Sequence, residues 1–252
     1  MKSFSSVLRL APIVFALLLT PFASKADEIR VAVASNFVGA MKILASEFEV
    51  NTEHRVILIP GSTGKHYAQI VHGAPFDLFF AADAKRPELL DTQGLIESSS
   101  RFTYAIGKLV LWSGSEGVID PKGEVITGND FRYLAIANPK LAPYGMAAEE
   151  VIRAKGVWSV IQGKLVRGEN IAQTYQFVDS GNAELGFVSY SQIIKSGEVT
   201  KSSYWIVPES LYSSIEQQAV LLTNNESSRA FLIYVKSDEA LEIIQSFGYG
   251  TP

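Results

Sequence analysis

No cysteine occurs in the 252 residues. That excludes disulfides, thiolate metal centres and attachment of a lipid through a cysteine. Histidine is nearly as scarce. His54, His66 and His72 are the three present, none belongs to an H-E-x-x-H pair, and the spacing of His66 and His72 keeps them off one helix face. No stretch matches the G-x-S-x-G elbow that exposes a nucleophilic serine. Gly61-Ser62-Thr63-Gly64-Lys65 has the flavour of a phosphate loop. Its Gly-to-Lys spacing is too short, however, and His66 stands where a magnesium-binding hydroxyl belongs. Positive charge is in deficit too, with 22 Lys plus Arg against 26 Asp plus Glu and a net charge of −4. This argues against DNA, RNA or an anionic membrane as partner, but not against a small anion held at one local site. Repeats and low-complexity runs are missing as well.

Long apolar runs are confined to the N-terminus. Lys2 and Arg9 precede the apolar stretch Leu10–Phe22, and Ser24-Lys25-Ala26 places small residues at the −3 and −1 positions of a cleavage site. The stretch is roughly 13 residues long, and Pro12 and Pro21 interrupt it, whereas a membrane span needs about 20. The reading is an export signal, residues 1–26, cut after Ala26 to release a soluble chain. Losing Lys2, Arg9 and Lys25 takes the net charge to about −7. The remainder is long enough for one large or two medium domains.

Strand and helix signals alternate along that remainder, which points to an α/β protein with largely parallel sheets. Phe37, Ala40, Met41, Leu44 and Phe48 recur at helical spacing, as do Tyr67, Ile70 and Val71; both sets are expected in the core. Asp77–Ala81 reads as a short buried strand, and Asp83 as a cap for a helix with Pro87 near its first turn. Further strands are expected over Lys108–Trp112, Tyr133–Ala137, Gly186–Tyr190 and Gln218–Leu222. Helices are expected over Met146–Lys155, over Ile171–Asp179 and through most of the C-terminal segment. Trp112, Trp158 and Trp205 read as packing residues.

Two junctions carry the chemistry. Ile29–Ala34 is a hydrophobic strand that runs into Ser35-Asn36, and Val56–Ile59 leads through Pro60-Gly61 into Ser62-Thr63. In each case hydroxyls or an amide stand where an amphipathic helix should begin. Ser, Thr and Asn are the preferred helix caps, so capping is the plain reading. The other is anion binding, because a helix N-terminus offers free N–H groups and a partial positive charge. The two roles are compatible. A hydrogen bond to a charged partner contributes about 1.5–3 kcal/mol, so several neutral donors are needed to offset dehydration of a dianion. Neutral donors also favour a fully deprotonated anion, since they offer a ligand's proton no acceptor.

The same loops carry a likeness. Ala34-Ser35-Asn36-Phe37, Gly61 to Ile70, Gly73-Ala74-Pro75-Phe76-Asp77, Ala81-Ala82-Asp83, Arg101 to Ser113, Ala137-Asn138-Pro139, Ala142-Pro143-Tyr144-Gly145, Leu185 to Val188 and Gln217 to Val220 together resemble the periplasmic molybdate/tungstate-binding proteins of ABC importers. The likeness runs in order through essentially the whole chain after the signal. It implies a type II periplasmic binding protein fold, two α/β lobes joined by a two-strand hinge, with residues 27–105 plus 218–252 in one lobe and 106–217 in the other. It implies an oxyanion enclosed by Ser35, Asn36, Ser62 and Thr63 from the first lobe and by Tyr144 and the Ile171 backbone from the second. It also implies a monomeric, periplasmic, non-enzymatic receptor with no cofactor, which passes its ion to a membrane permease; metal is present only inside the oxyanion. One departure stands out. Some members carry a ligand-binding tyrosine after Gly-x-Val, where this chain has Ser189, too short to reach the anion, and then Tyr190, expected on the opposite strand face. Tyr144 and Asn36 are the expected substitutes. The same architecture tuned to sulfate or phosphate is the nearest alternative, and an exported hydrolase built on Ser35 or Ser62 is the alternative of a different class.

Overall fold

A computed structural model describes residues 27–251 apart from 129, 196–197 and 200–201. The expected export signal, residues 1–26, lies outside the described residues. Among those described, no helix is long and apolar enough to cross a membrane.

Two five-stranded mixed sheets organise the chain. The first contains β1 (Glu28–Ala34), β2 (Arg55–Gly61), β3 (Leu78–Phe80) and β4 (Phe102–Gly107). The second contains β5 (Leu109–Ser113), β6 (Leu134–Ala137), β7 (Leu165–Gly168) and β8 (Leu185–Ser189). A short hairpin, β9 (Ile194–Lys195) with β10 (Glu198–Val199), precedes β11 (Ser203–Ile206), which joins the second sheet, and β12 (Ile215–Leu221), which returns to the first. The orders are β2-β1-β3-β12-β4 and β11-β5-β8-β6-β7. The chain therefore crosses between sheets twice, once through Lys108 alone and once between β11 and β12.

Alternation of side chains sorts the second sheet into two cores, as a period of two requires. Leu109 and Leu111 face the helix Pro143–Ala154 through Ala148, Val151 and Ile152. Val110 and Trp112 face the helix Ile171–Asp179 through Val178, and Trp112 stacks on Tyr175 with ring centroids 4.8 Å apart. In the first lobe, Phe37, Met41, Leu44 and Phe48 pack with Phe231 and Ile244 on one sheet face, while Ile70 and Leu90 pack on Phe79 on the other.

Several expected boundaries move. Pro143 is the first residue of its helix rather than part of a preceding loop, consistent with proline's fit at the first helical position, where no N–H is needed. β8 ends at Ser189, and Tyr190 opens a short helix, Tyr190–Ile193. Asp83 does accept the Arg86 N–H at 3.0 Å, although the helix itself begins at Lys85.

Candidate functional site

Parallel pairing brings the junctions together. β1 and β2 end side by side, with Ala34 opposite Gly61, and β6 and β7 end side by side, with Ala137 opposite Gly168. Loops from these four ends meet in a cavity of about 10 Å³ between the lobes. That is smaller than the roughly 300 Å³ at which drug-sized ligand sites begin, so it suits an ion of a few heavy atoms. Its lining includes Ser35, Asn36, Ser62, Thr63, Tyr144 and Ile171, together with Gly61, Asn170 and small apolar residues. All six expected site residues thus reach one cavity, and no charged side chain lines it.

Three helices start at this cavity: Thr63–Val71, Pro143–Ala154 and Ile171–Asp179. A fourth N-terminus comes from the single turn Ser35–Phe37. First-turn N–H groups have no carbonyl one turn back to accept them, and the four ends sum their partial positive charge on one point. Thr63 and Ile171 are the first residues of their helices and Tyr144 the second, so each can offer its backbone N–H as well.

The side chains divide by what they still have to give. Ser62 occupies the cap position of its helix, yet makes no cap hydrogen bond; its buried Oγ has no partner at all. Thr63 Oγ1 accepts the Ala82 N–H at 2.9 Å, which leaves its own proton free to donate. Ser35 differs from expectation: its hydroxyl donates to the Gly61 carbonyl at 2.8 Å and so ties one junction to the other. Asn36 differs as well. Its amide donates to Gln217 Oε1 at 2.7 Å and to the Tyr249 hydroxyl at 3.0 Å, so both amide protons are committed below the cavity.

Those bonds belong to a buried ring that joins the lobes beneath the cavity. Tyr104 donates to Gln217 Oε1 (3.1 Å), and Gln217 Nε2 faces the Tyr144 hydroxyl at 3.5 Å. Ser189 donates to the same hydroxyl at 2.9 Å and contacts Ser191 Oγ at 2.8 Å. Tyr249 donates to the Asn36 carbonyl at 2.9 Å, and Ser191 Oγ lies 3.1 Å from that carbonyl and 2.9 Å from the Tyr249 hydroxyl. Burial pushes the Tyr144 and Tyr104 hydroxyls well above the usual phenol range and Tyr249 up to about 12, so all three stay neutral. Sequence reasoning missed Gln217, Tyr249 and Ser191. The legible signal was Gln217 itself, an amide just ahead of the apolar run Ala219–Leu221, and the structure buries it fully. Ser189 does not line the cavity and instead touches Tyr144. Tyr190 packs against Tyr204 at 6.1 Å, away from the cavity.

The lobes are closed on each other at the mouth. Gly64 N–H donates to Leu141 O at 2.8 Å, Arg86, paired with Asp83, reaches Lys140 O at 3.0 Å, and Lys65 meets Glu169 at 2.8 Å. His66 lies behind Gly61, so close that a Cβ there would sit 2.6 Å from its Nε2. That nitrogen has no partner, and burial lowers the imidazole pKa. Neither Ser35 nor Ser62 is hydrogen-bonded to a histidine. Among the described residues there is no cluster of three or more His, Asp or Glu side chains able to hold a metal ion. A larger depression of about 380 Å³ lies elsewhere in the second lobe, but Asp130, Asp179 and Glu184 line it, the wrong sign for an anion.

The model of the bacterial extracellular solute-binding protein family matches residues 29–250. The chain belongs to that family. Among its relatives, the molybdate-binding protein ModA of Azotobacter vinelandii is 50% identical over 231 residues, covering 90% of this chain and 92% of the relative. The molybdate-binding protein ModA of Rhodobacter capsulatus is 43% identical over 256 residues and covers all of both chains. The solved periplasmic molybdate-binding protein of Azotobacter vinelandii superposes with a TM-score of 0.86 at 41% identity, covering 89% of this chain and 99% of that one. The fold is thus the periplasmic binding protein fold, two mixed α/β sheets with their helices, and these relatives are named as binding proteins rather than enzymes.

Proposed function

We propose that this protein is an exported receptor that captures molybdate or tungstate between its lobes and delivers it to the permease of an ABC importer. The observation that carries the reading is the convergence of helix N-termini on a small cavity with no charged lining. Such a cavity suits a fully deprotonated oxyanion, which supplies the acceptors and requires only donors. The relatives' named ligand supplies the choice of ion. Molybdate and tungstate are longer-bonded tetrahedra than sulfate and phosphate, so cavity radius does the selecting.

In this reading Ser62 and Thr63 donate through their hydroxyls, Ser35, Asn36 and Ile171 through backbone N–H groups, and Tyr144 through its phenol. Asn36 and Ser35 also hold the floor through the contacts described above. The implied division, 27–105 plus 218–252 against 106–217, is supported by the chain crossing between sheets close by, at 107–109 and between 206 and 215. The first lobe then holds the N-terminal and C-terminal segments, and the second the middle. The hinge lets closure complete the donor shell. The receptor acts as a monomer in the periplasm after cleavage behind Ala26, without cofactor or covalent chemistry. Calorimetric titration of the purified mature chain with molybdate, tungstate, sulfate and phosphate tests this directly. Saturable one-to-one binding of the first two, far tighter than of the others, is expected, and preference for sulfate or phosphate would replace the ligand while keeping the architecture.

A further inference from the structure

Ser189 sits at the end of β8, fully buried, outside the cavity lining and 2.9 Å from the Tyr144 hydroxyl. Its own oxygen accepts the backbone N–H of Gln192, while Gln192 Oε1 takes the Ser189 N–H at 3.0 Å. A hydroxyl has a single proton. With Gln192 donating in, the Ser189 proton is directed out, onto Tyr144. Ser191, the other hydroxyl in contact at 2.8 Å, donates into Ser189 while Tyr249 supplies the Asn36 carbonyl at 2.9 Å, and so leaves that direction unopposed. A phenolic proton lies in the ring plane and has two orientations. Ser189 occupies one side of the Tyr144 oxygen, and Gln217 Nε2 approaches the same oxygen at 3.5 Å. Among the described residues, none accepts the proton of Tyr144 while Ser189 donates to it.

We propose that Ser189 is a positioning residue, whose hydrogen bond to Tyr144 forces that phenol to present its proton, and not a lone pair, to the bound oxyanion. A freely rotating phenol would spend part of its time with a lone pair toward the anion, which repels it. The relay from the Gln192 N–H through Ser189 to Tyr144 removes that state before the ligand arrives. Gln192 also donates to the Ile171 carbonyl at 3.1 Å, so one amide ties the relay to the other second-lobe element of the site. Selectivity follows from the same polarity, because every group directed at the cavity by the relay is a donor. A ligand that still carries a proton finds no acceptor there.

This proposal rests on the assignment of Tyr144 as an anion donor, and the test separates the two. Molybdate affinity is measured by calorimetry for the parent, Tyr144→Phe, Ser189→Ala and the double variant, with a melting temperature for each. Tyr144→Phe is expected to weaken binding at least tenfold, roughly the loss of one charged hydrogen bond. Ser189→Ala is expected to weaken it about threefold to tenfold when Tyr144 is present, and not at all in the Tyr144→Phe background. The melting temperature falls alike in both backgrounds, because the helix cap made by Ser189 is lost in each. An equal loss of affinity from Ser189→Ala in both backgrounds overturns the positioning role and leaves Ser189 a cap. Unchanged affinity in Tyr144→Phe overturns the site assignment itself. Should Ser189→Ala not fold, Ser189→Cys keeps the shape with a weaker donor. Its expected loss is smaller and again vanishes with Tyr144→Phe, and a loss that persists overturns the proposal.

Discussion

The backbone N–H of Gly64, in the first lobe, donates to the carbonyl of Leu141, in the second, at 2.8 Å. Gly64 is the second residue of the helix Thr63–Val71, so its N–H has no acceptor within its own helix. Closure provides one. A Cβ at Gly64 would lie 3.0 Å from Leu141 Cα and O and 3.1 Å from Arg86 Nη2. Gly64→Val is therefore expected to hold the lobes apart. A penalty of about 1–2 kcal/mol on the closed state corresponds to roughly fivefold to thirtyfold weaker anion binding. Small-angle scattering with and without molybdate checks it: the parent contracts on binding, and the variant needs more anion to do so.

Ser62 and Thr63 are adjacent hydroxyls with opposite accounts in the empty protein. Ser62 Oγ is buried without a partner, so Ser62→Ala removes an unsatisfied group. The melting temperature without anion is expected to hold or rise, while affinity falls about tenfold, the value of one charge-assisted hydrogen bond. Thr63→Val instead abandons the Ala82 N–H. Stability should then fall by about 1–3 kcal/mol even without ligand. Thermal unfolding with and without molybdate separates the two.

Gly107 leaves room for the ring under the cavity. A Cβ there would stand 2.2 Å from the Tyr144 hydroxyl and 2.9 Å from Gln217 Nε2. Gly107→Ala is expected to cost about 1–3 kcal/mol of stability through overpacking, and to weaken anion binding by displacing Tyr144. Gly114→Ala, where a Cβ meets nothing within 4 Å, should stay within about 0.5 kcal/mol of the parent, as exposed substitutions do. Chemical denaturation of both variants makes the comparison.

His66 makes stability depend on pH. Its ring lies among Phe76 and Phe79, with centroids 5.7 and 6.2 Å away, and burial lowers its pKa below the ordinary 6.5, against a hydrogen bond from its Nδ1–H to Gln69 Oε1 that raises it. The unfolded chain therefore binds a proton that the folded chain refuses. The contribution is fully present above about pH 6.5 and is lost as pH falls from there toward the folded value. His66→Leu should flatten the fall in melting temperature between about pH 7.5 and 5. Parallel curves for parent and variant would mean that other groups carry the acid sensitivity.

The parts of the site that follow from local pattern were legible in the sequence. A hydrophobic strand that stops at Ser35-Asn36 or Ser62-Thr63 declares a strand-to-helix junction, and the lobe-two residues Tyr144 and Ile171 came from the family likeness. What each hydroxyl donates to was not legible. Ser35 turns to Gly61, 26 positions away, and Asn36 spends its amide on Gln217 and Tyr249, 181 and 213 positions away. Gln217 arrives because β12 returns to the first sheet with a register shift between Gln217 and Gln218, and Tyr249 because its neighbour Gly250 pairs with Ile106. The role of Ser189 was hidden for the same reason. Its target lies on another element, and the turn at Tyr190 ends the strand one residue earlier than alternation suggested. Proline's preference for a first helical turn would have placed Pro143 inside its helix, and with it Tyr144.

Calorimetric titration of the mature chain with molybdate, with sulfate as competitor, bears most directly on an uncharged cage built for a long-bonded, doubly charged oxyanion. One molybdate per chain is expected, bound tightly and left in place by a large excess of sulfate, with tungstate equivalent. No heat with molybdate, or displacement of molybdate by equimolar sulfate, would contradict it.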